Sequence, residues 1–431
     1  MMKKFIIKTL GCKTNQVESA LIAEIMTNNG YTETNDIKNA EYYILNSCSV
    51  TQIADTKNLS YIRKAKRENP NIKIIITGCM AQLEKENLLK QNFADYVIGN
   101  HEKNDIAEII KKGENLRVSD IFSHDYFRYE KLHQAHRTRA SVKIQDGCNN
   151  RCSYCTIPFA RGKNRSNSIK NIIEQINLFA DEGYFETVLT GIHIGQWGND
   201  LNPKLKLQNL LEKIENTNIE RYRLGSLNPT ELTTDFINFL SKSKKFCPHF
   251  HLSLQSVCNK TLKAMNRNYN VEEIKSIVNY INLKFDKAFI GSDIIVGFPN
   301  ETTEDFEITY NNLKELELTR IHVFPYSRRK GTIADKMDNQ IETMEKKRRA
   351  KLIQEISDTK LNAFFNKNIE TYNEVIIEKQ RDKKTGLLKG ITNNYINVLI
   401  NNKDNYKDKL VKVRLTSISD YNEKMIAEIV T

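Results

Sequence analysis

No stretch of the 431 residues stays apolar over the roughly 18 to 20 positions that a membrane-spanning helix needs. The apolar run in the opening MMKKFIIKTLGC is too short for the core of a secretion signal. A soluble, cytoplasmic protein with no membrane partner is expected. Internal repeats and long low-complexity tracts are missing as well, so repeat arrays are set aside. A second CxxC is also missing: eight cysteines occur, but only Cys152 and Cys155 have that spacing. A structural zinc site made of paired CxxC motifs is therefore not available. In a reducing compartment, cysteines spread over this length are metal ligands or buried thiols, not a disulfide framework.

The charge balance is uneven. The chain has 65 Lys and Arg against 53 Asp and Glu, a formal charge of +12 and a pI near 9.1. That makes a polyanionic partner plausible, although Lys, Asn and Ile are abundant throughout, as nucleotide bias also produces. The length suggests about three domains.

Hydrophobic periodicity divides the chain in three. Up to about residue 110, short apolar runs (KFIIKTL, EYYILN, KIIITG, DYVIGN) alternate with helical patterns, the first beginning near Glu18. This predicts βαβ units and a parallel sheet, a first α/β domain over 1–115. A charged segment, GENLRVSDIFSHDYFRYEKLHQAHRTR, separates it from six further strands, ASVKIQDG, ETVLTGI, RYRLGSL, HFHLSLQS, FIGSDIIVGF and TRIHVFPYS. Each is followed by a helix-sized interval, which predicts a partial or complete (β/α) barrel over 135–365. Five short strands then predict a small closed all-β barrel over 368–431.

Two sets of cysteines stand out. DGCNNRCSYC places Cys148, Cys152 and Cys155 within eight residues, just beyond a strand, at the mouth where barrel enzymes carry out their chemistry. Thiolates are soft ligands for zinc or for iron–sulfur clusters. Zinc in a structural site would need a fourth protein ligand; four irons held by three thiolates keep one iron open to a substrate. Inert thiols or zinc remain the plain alternative. Cys12, Cys48 and Cys79 are scattered, but each follows a predicted strand: KFIIKTLGC, YYILNSC and KIIITGC. Strand ends of a parallel sheet lie along one edge. Each cysteine alone reads as a buried thiol; the three together predict a second cluster.

The Cys148–Cys155 spacing, with the aromatic Tyr154 before the last cysteine, resembles the signature of the radical S-adenosylmethionine (SAM) enzymes. The resemblance implies a 4Fe-4S cluster whose open iron chelates SAM and whose electron cleaves it to a 5'-deoxyadenosyl radical, with Tyr154 flanking the adenine. The whole chain, from strand-end cysteines through radical SAM barrel to a piece that looks like an RNA-binding TRAM domain, resembles the methylthiotransferase family. TLGCKTNQVES and RASVKIQDGCNNRCSYCTIPFARG look most like the bacterial tRNA enzymes acting on N6-threonylcarbamoyladenosine at position 37, with Gly11, Cys12, Lys13 and Asn15 carrying much of that likeness. The resemblance implies replacement of adenine C2–H by a methylthio group, with two 4Fe-4S clusters and two SAM per turnover. It also implies the tRNA anticodon loop as partner, a one-electron donor such as flavodoxin or ferredoxin, and a sulfur donor; a monomer is expected. Siblings acting on isopentenyladenosine-37 or a ribosomal-protein aspartate, and a nonenzymatic zinc-dependent RNA-binding protein, are the alternatives.

Further residues follow from the same likeness. GSDIIVGFPNET resembles the strand that meets the SAM adenine, with Gly297, Pro299 and Glu301 matching, whereas Val257 in HLSLQSVCN stands where the family has glycine. Gly191 and Gly195 in LTGIHIGQWG suit close approach of a cofactor, or simply a turn. Arg161 and Arg165 suit SAM or RNA phosphate, or a solvated surface. Cys247 and Cys258, and His193, His249 and His251, read as core. In the last domain, residues 379–414 carry ten Lys and Arg against three Asp. Lys383, Lys384, Lys389, Lys412 and Arg414 with Tyr395 and Tyr406 predict an RNA surface, or else a solvated basic face. KKRRAK at 346–351 reads as one side of an exposed helix.

Overall fold

The computed structural model describes residues 3–133, 138–420 and 423–430. The barrel boundary expected at residue 135 lies outside these residues. The apolar runs of the first domain form the strands Lys4–Thr9, Tyr42–Ser47, Lys73–Gly78 and Tyr96–Ile98, paired in parallel. Tyr42–Ser47 is buried along its whole length, as expected of a strand covered on both faces. Two-residue strands, Thr32–Glu33 beside the first and Leu116–Arg117 beyond the fourth, extend the sheet to six. Sequence periodicity missed both, because two residues carry no period. The first helix is Lys13–Asn28, starting earlier than expected because Cys12 occupies its N-cap position.

The six barrel strands are Ala140–Lys143, Glu186–Thr190, Arg221–Leu224, His249–Gln255, Phe289–Val296 and Arg320–Pro325. They form two parallel three-stranded arcs, joined by the parallel bridges Tyr222–Phe246 and Leu227–Leu252. Chain order is kept around an open partial barrel. Val142, Leu189, Leu252, Ile290, Ile294 and Ile321 face the outer helices in one apolar core with Ile172, Ile176, Phe179 and Val278. Alternation then turns Ser141, Val188, His251, Asp293, His322 and Phe324 to the concave wall. The helix Thr343–Asn368 closes the unit; within its KKRRAK segment Arg349 is buried, paired with Glu301 and Glu345.

Five strands, Tyr372–Ile377, Leu388–Thr392, Asn397–Ile400, Leu410–Ile418 and Met425–Ile429, form a closed barrel. It is fastened to the N-terminal ends of the central barrel strands by a buried ionic knot. Glu186 accepts from Arg221 Nε (2.8 Å) and Arg223 Nε (3.1 Å). The two guanidinium groups in turn donate to the carbonyls of Glu374, Ile391, Thr392 and Asn393. Tyr395 stacks on His249, ring centroids 3.9 Å apart, and lies under Arg223.

Burial opposes the charge on Glu186, but Arg223, Arg221 and Arg139 hold its carboxyl down to about 2. The stabilisation is therefore complete above the ordinary carboxylate range and fades as the pH falls toward 2. Glu186→Ala leaves the two arginines buried without their counter-ion. We expect a cost of about 3–5 kcal/mol in denaturant unfolding, with early proteolytic release of the C-terminal barrel. Wild-type stability of the variant would show that the knot does not hold the domains.

Candidate active site

All three scattered cysteines lie at one end of the first sheet. Cys48 and Cys79 directly follow the strands Tyr42–Ser47 and Lys73–Gly78, and Cys12 lies three residues past Thr9. Cys12 caps the helix Lys13–Asn28 and Cys79 begins the helix Cys79–Lys90, so two of the three thiols sit at helix N-termini, which favour negative charge. Gly11 brings the loops together: its φ is +103°, and a Cβ there would lie 2.9 Å from Cys48 Cβ and 3.1 Å from its sulfur. Asn15 ties the same loops, donating to the carbonyls of Leu10 (2.8 Å) and Ser47 (3.0 Å), with its Oδ1 3.8 Å from Cys12 Sγ. Burial pushes the Cys48 thiol up to about 11, with Cys79 adding to the shift.

The second triplet lies beyond the first barrel strand. Gly147 and Gly162 shape its loop; a Cβ on Gly147 would strike the Lys163 carbonyl at 1.8 Å. Arg267 Nη1 donates to Cys152 Sγ at 3.2 Å and Nη2 to the Ser253 carbonyl at 3.0 Å. His193 Nδ1 lies 3.5 Å from Cys148 Sγ, and its Nε2 contacts Glu231. Burial pushes the Cys155 thiol up to about 12. Thiols held this high stay protonated until a metal displaces the proton, so binding is coupled to proton release. Among the described residues no three His, Cys, Asp or Glu side chains gather as a single metal ion requires. A four-iron cluster is a body, and its thiolates stand around it. Three soft sulfurs, flanking glycines and N–H donors to sulfur fit such a group at both sites.

The two triplets are joined by a largely buried ionic contact. The short helix Ile157–Arg161 starts two residues after Cys155. Arg161, with no exposed surface, donates to Glu18 (2.8 and 3.0 Å), Asp146 (3.0 Å) and Asn15 Oδ1 (2.6 Å). Lys103 (2.6 Å) and Lys143 (2.7 Å) also donate to Glu18. Burial alone would raise the Glu18 carboxyl; Arg161, Lys103 and Lys143 hold it well below the usual range. Burial likewise raises the Cys79 thiol, and the Arg161 guanidinium pulls it back. A second clamp joins Arg329 to Asp55 (2.5 Å) and Ser49 (2.8 Å), next to Cys48.

Several expected roles change. Arg161 and Arg165 do not face a solvent phosphate: Arg161 is the interdomain bridge, and Arg165 turns inward to the Arg161 carbonyl at 2.9 Å. Gly191 makes room for Gln145, whose Oε1 takes the N–H groups of Ile192 and His193, and Gly195 makes room for Glu231. Gly297, at φ +70°, allows Lys346 to pack against it; Pro299 is buried, and Glu301 accepts from Gly297 N–H and Arg349. Tyr154 packs edge-on to Phe298 in an apolar patch with Met265 and Tyr326. His193 is buried but touches the Cys148 sulfur, and His251 faces the lumen; neither is plain core. His249, Val257, Cys247 and Cys258 are buried.

The RNA candidates divide. Lys383 and Lys384 are exposed; Lys389 is paired with Glu378 at 2.8 Å. Lys412 lies over the Tyr372 ring, and Arg414 pairs with Glu370 and Glu428. Tyr406 packs against the core of its own barrel. Tyr395 is not free to stack on a base, because His249 already occupies its face. A groove of about 510 Å³ runs from Lys379, Gln380 and Lys389 past Arg139 to Lys13 and Gln16, one turn from Cys12, and reaches Ser141 and Val188 on the concave wall.

Sequence reasoning missed Glu18, Arg267, His193 and Arg329 as site residues. A usable signal existed for Glu18, a carboxylate on the buried stripe with Asn15, Ile22 and Met26. Arg267 has none, since its partners come from distant loops.

A three-thiol loop at the mouth of an open six-stranded barrel defines a radical SAM enzyme. Residues 142–313 match the radical SAM superfamily, and residues 4–99 match the uncharacterized protein family UPF0004. The chain belongs to the radical SAM tRNA methylthiotransferase family. It is 34% identical to the threonylcarbamoyladenosine tRNA methylthiotransferase MtaB of Aquifex aeolicus, over 95% of this chain and 99% of that one. It is also 34% identical to MtaB of Bacillus subtilis, over 98% and 96%. A tRNA-2-methylthio-N(6)-dimethylallyladenosine synthase of Clostridium botulinum matches at 34% too, over 97% and 96%. In fold, the chain is similar to the radical SAM methyltransferase TsrM of Kitasatospora setae, TM-score 0.54 at 12% identity over 75% of each chain. Among the described residues no helix is long and apolar enough to cross a membrane.

Hydrogen bonds to cluster sulfurs raise the reduction potential. Arg267→Met is expected to leave the iron content of the barrel site unchanged while moving its midpoint to a more negative value in a redox titration. An unchanged midpoint would rule out a tuning role for Arg267.

Proposed function

We propose that this enzyme places a methylthio group on C2 of N6-threonylcarbamoyladenosine at position 37 of tRNA, using two 4Fe-4S clusters and two SAM per turnover. Cys148, Cys152 and Cys155 would hold one cluster and Cys12, Cys48 and Cys79 the other. When bound, the barrel group supplies the electron that splits SAM, and the first-domain group supplies the sulfur. The observation that carries this reading is the chain of contacts Cys12–Asn15–Arg161 leading into the helix that follows Cys155. One side chain and one short helix link the two triplets.

The chain's own residues do the positioning. Arg161 and Glu18 fix the first-domain thiols against the barrel, Arg267 and His193 orient the cysteine loop, and the basic groove leads RNA toward Cys12. The relatives named for threonylcarbamoyl and dimethylallyl substrates match at the same 34% identity, so the substrate reading rests on residues. A carboxylate-bearing N6 group suits a groove in which Lys13, Arg139, Lys379 and Lys389 outnumber the one carboxylate, Glu378; an isoprenyl group would suit an apolar one. The tRNA anticodon loop is the partner this requires, together with a flavodoxin- or ferredoxin-type electron donor and a sulfur source.

Two measurements test the proposal. Nucleoside mass spectrometry of tRNA from a deletion strain is expected to show loss of 2-methylthio-N6-threonylcarbamoyladenosine and its return with the intact gene. Persistence of that nucleoside in a strain with no second such gene would reject the substrate. In the reconstituted enzyme, Cys48→Ala and Gly11→Ala are each expected to halve bound iron and abolish methylthio product while SAM cleavage continues; loss of both activities together would contradict the division of labour.

A further inference from the structure

The concave wall of the barrel carries a second group of side chains that the cysteine chemistry leaves unused. His251, Asp293 and His322 come from three adjacent strands, with Asp293 directly opposite His322 and His251 opposite Gly291. His251 Nε2 lies 3.0 Å from the Asp293 carboxylate, and the His251 and His322 rings stack with centroids 5.6 Å apart. Gly291 leaves this space open, since a Cβ there would come 3.3 Å from His251 Nδ1. One pleat nearer the mouth, Phe324 pairs with Ile295 and is 46% exposed. Ile295 itself joins the apolar patch of Tyr154 and Phe298 beside the cysteine loop.

Two observations tie this wall to the reaction. Arg267, which grips Cys152, also grips the Ser253 carbonyl, two residues and about 7 Å along the strand from His251. The basic groove reaches the concave side of the barrel on the other three-stranded arc, at Ser141 and Val188. A bare phenyl ring above a carboxylate and two imidazoles matches a flat heteroaromatic ring that is apolar on its face and polar at its edge.

The geometry points to a seat for the adenine of the RNA substrate, extruded from the anticodon loop, on Phe324, Asp293 and His322. This assignment rests on the proposed function above. Phe324 stacks on the base. Asp293, fixed by His251, accepts from an N–H at its edge, and His322 bonds to a ring nitrogen or to the polar N6 group. The wall lies deeper than the cysteine loop, mid-strand in the arc that faces the groove's entry at Ser141 and Val188, which favours the adenine of RNA over that of SAM. Phe324, Asp293 and His322 are then substrate-specificity residues, and His251 is a positioning residue acting through Asp293.

The test uses the reconstituted enzyme and an anticodon stem-loop carrying the N6-modified adenosine. Phe324→Ala is expected to weaken stem-loop binding and raise its KM by roughly five- to a hundredfold, with Phe324→Tyr restoring most of the loss. Asp293→Asn is expected to lower kcat/KM for the RNA. In all three variants, RNA-independent SAM cleavage under dithionite stays within about twofold of wild type, and cluster absorbance and thermal unfolding match it. Unchanged stem-loop binding and turnover in Phe324→Ala would overturn the assignment. So would a raised KM for SAM with unchanged RNA binding, which would give the seat to the cofactor's adenine. A wild-type enzyme that binds the stem-loop but forms no methylthio product would defeat the proposed substrate, leaving the seat to be judged by the binding data.

Discussion

Glu18 leaves the first domain's opening helix into a buried gap, where Lys103 of its own domain and Lys143 and Arg161 of the barrel surround it. One carboxylate facing three cations would be costly if any partner were removed, because the remainder would stay charged and dry. The network therefore fixes geometry more than it adds stability. Its members branch to both reactive ends: Asn15 and Arg161 reach toward Cys12 and Cys79, and the helix of Arg161 leads back to Cys155. A small rotation of the first domain would break these contacts together, so the two triplets keep one relative position.

The contact with the C-terminal domain has a complementary role. The Glu186 knot closes the bottom of the barrel with the C-terminal domain and uses Tyr395 as part of the plug. What remains open is the mouth and the lateral groove. On the proposed function, the cations of the groove draw the RNA backbone toward Lys13 and Gln16, beside Cys12.

Much of this architecture was legible in the sequence. Parallel strands buried on both faces leave apolar runs too long to mistake, so the first sheet, the six barrel strands and the closing five-stranded barrel could be read from periodicity. The cysteines were legible because strand ends share an edge; sequence position became spatial position without any knowledge of side-chain packing. The failures share a cause. Arg161 and Tyr395 looked like surface residues ready for a ligand, yet each found its partner in another domain, and Arg165 turned inward to the Arg161 carbonyl. Arg267 and His193 were invisible as thiol neighbours because Cys152 and Cys148 lie on a distant loop of the same barrel, and such partners leave no local trace. Gly191 and Gly195 were read as room for a cofactor or as a turn, and the groups that use the room are Gln145 and Glu231; beside Gly297, read as part of the strand that meets the SAM adenine, it is Lys346 that packs.

The central claim is that both cysteine triplets face one chamber held by the Glu18–Arg161 contact. Electron paramagnetic resonance of the fully reconstituted, reduced enzyme tests it most directly. Two reduced clusters in one chamber are expected to show magnetic interaction, a broadened or split spectrum that collapses to a single isolated signal in a Cys48→Ala variant. A spectrum equal to the sum of two independent clusters, unchanged in linewidth when either triplet is disabled, would contradict it.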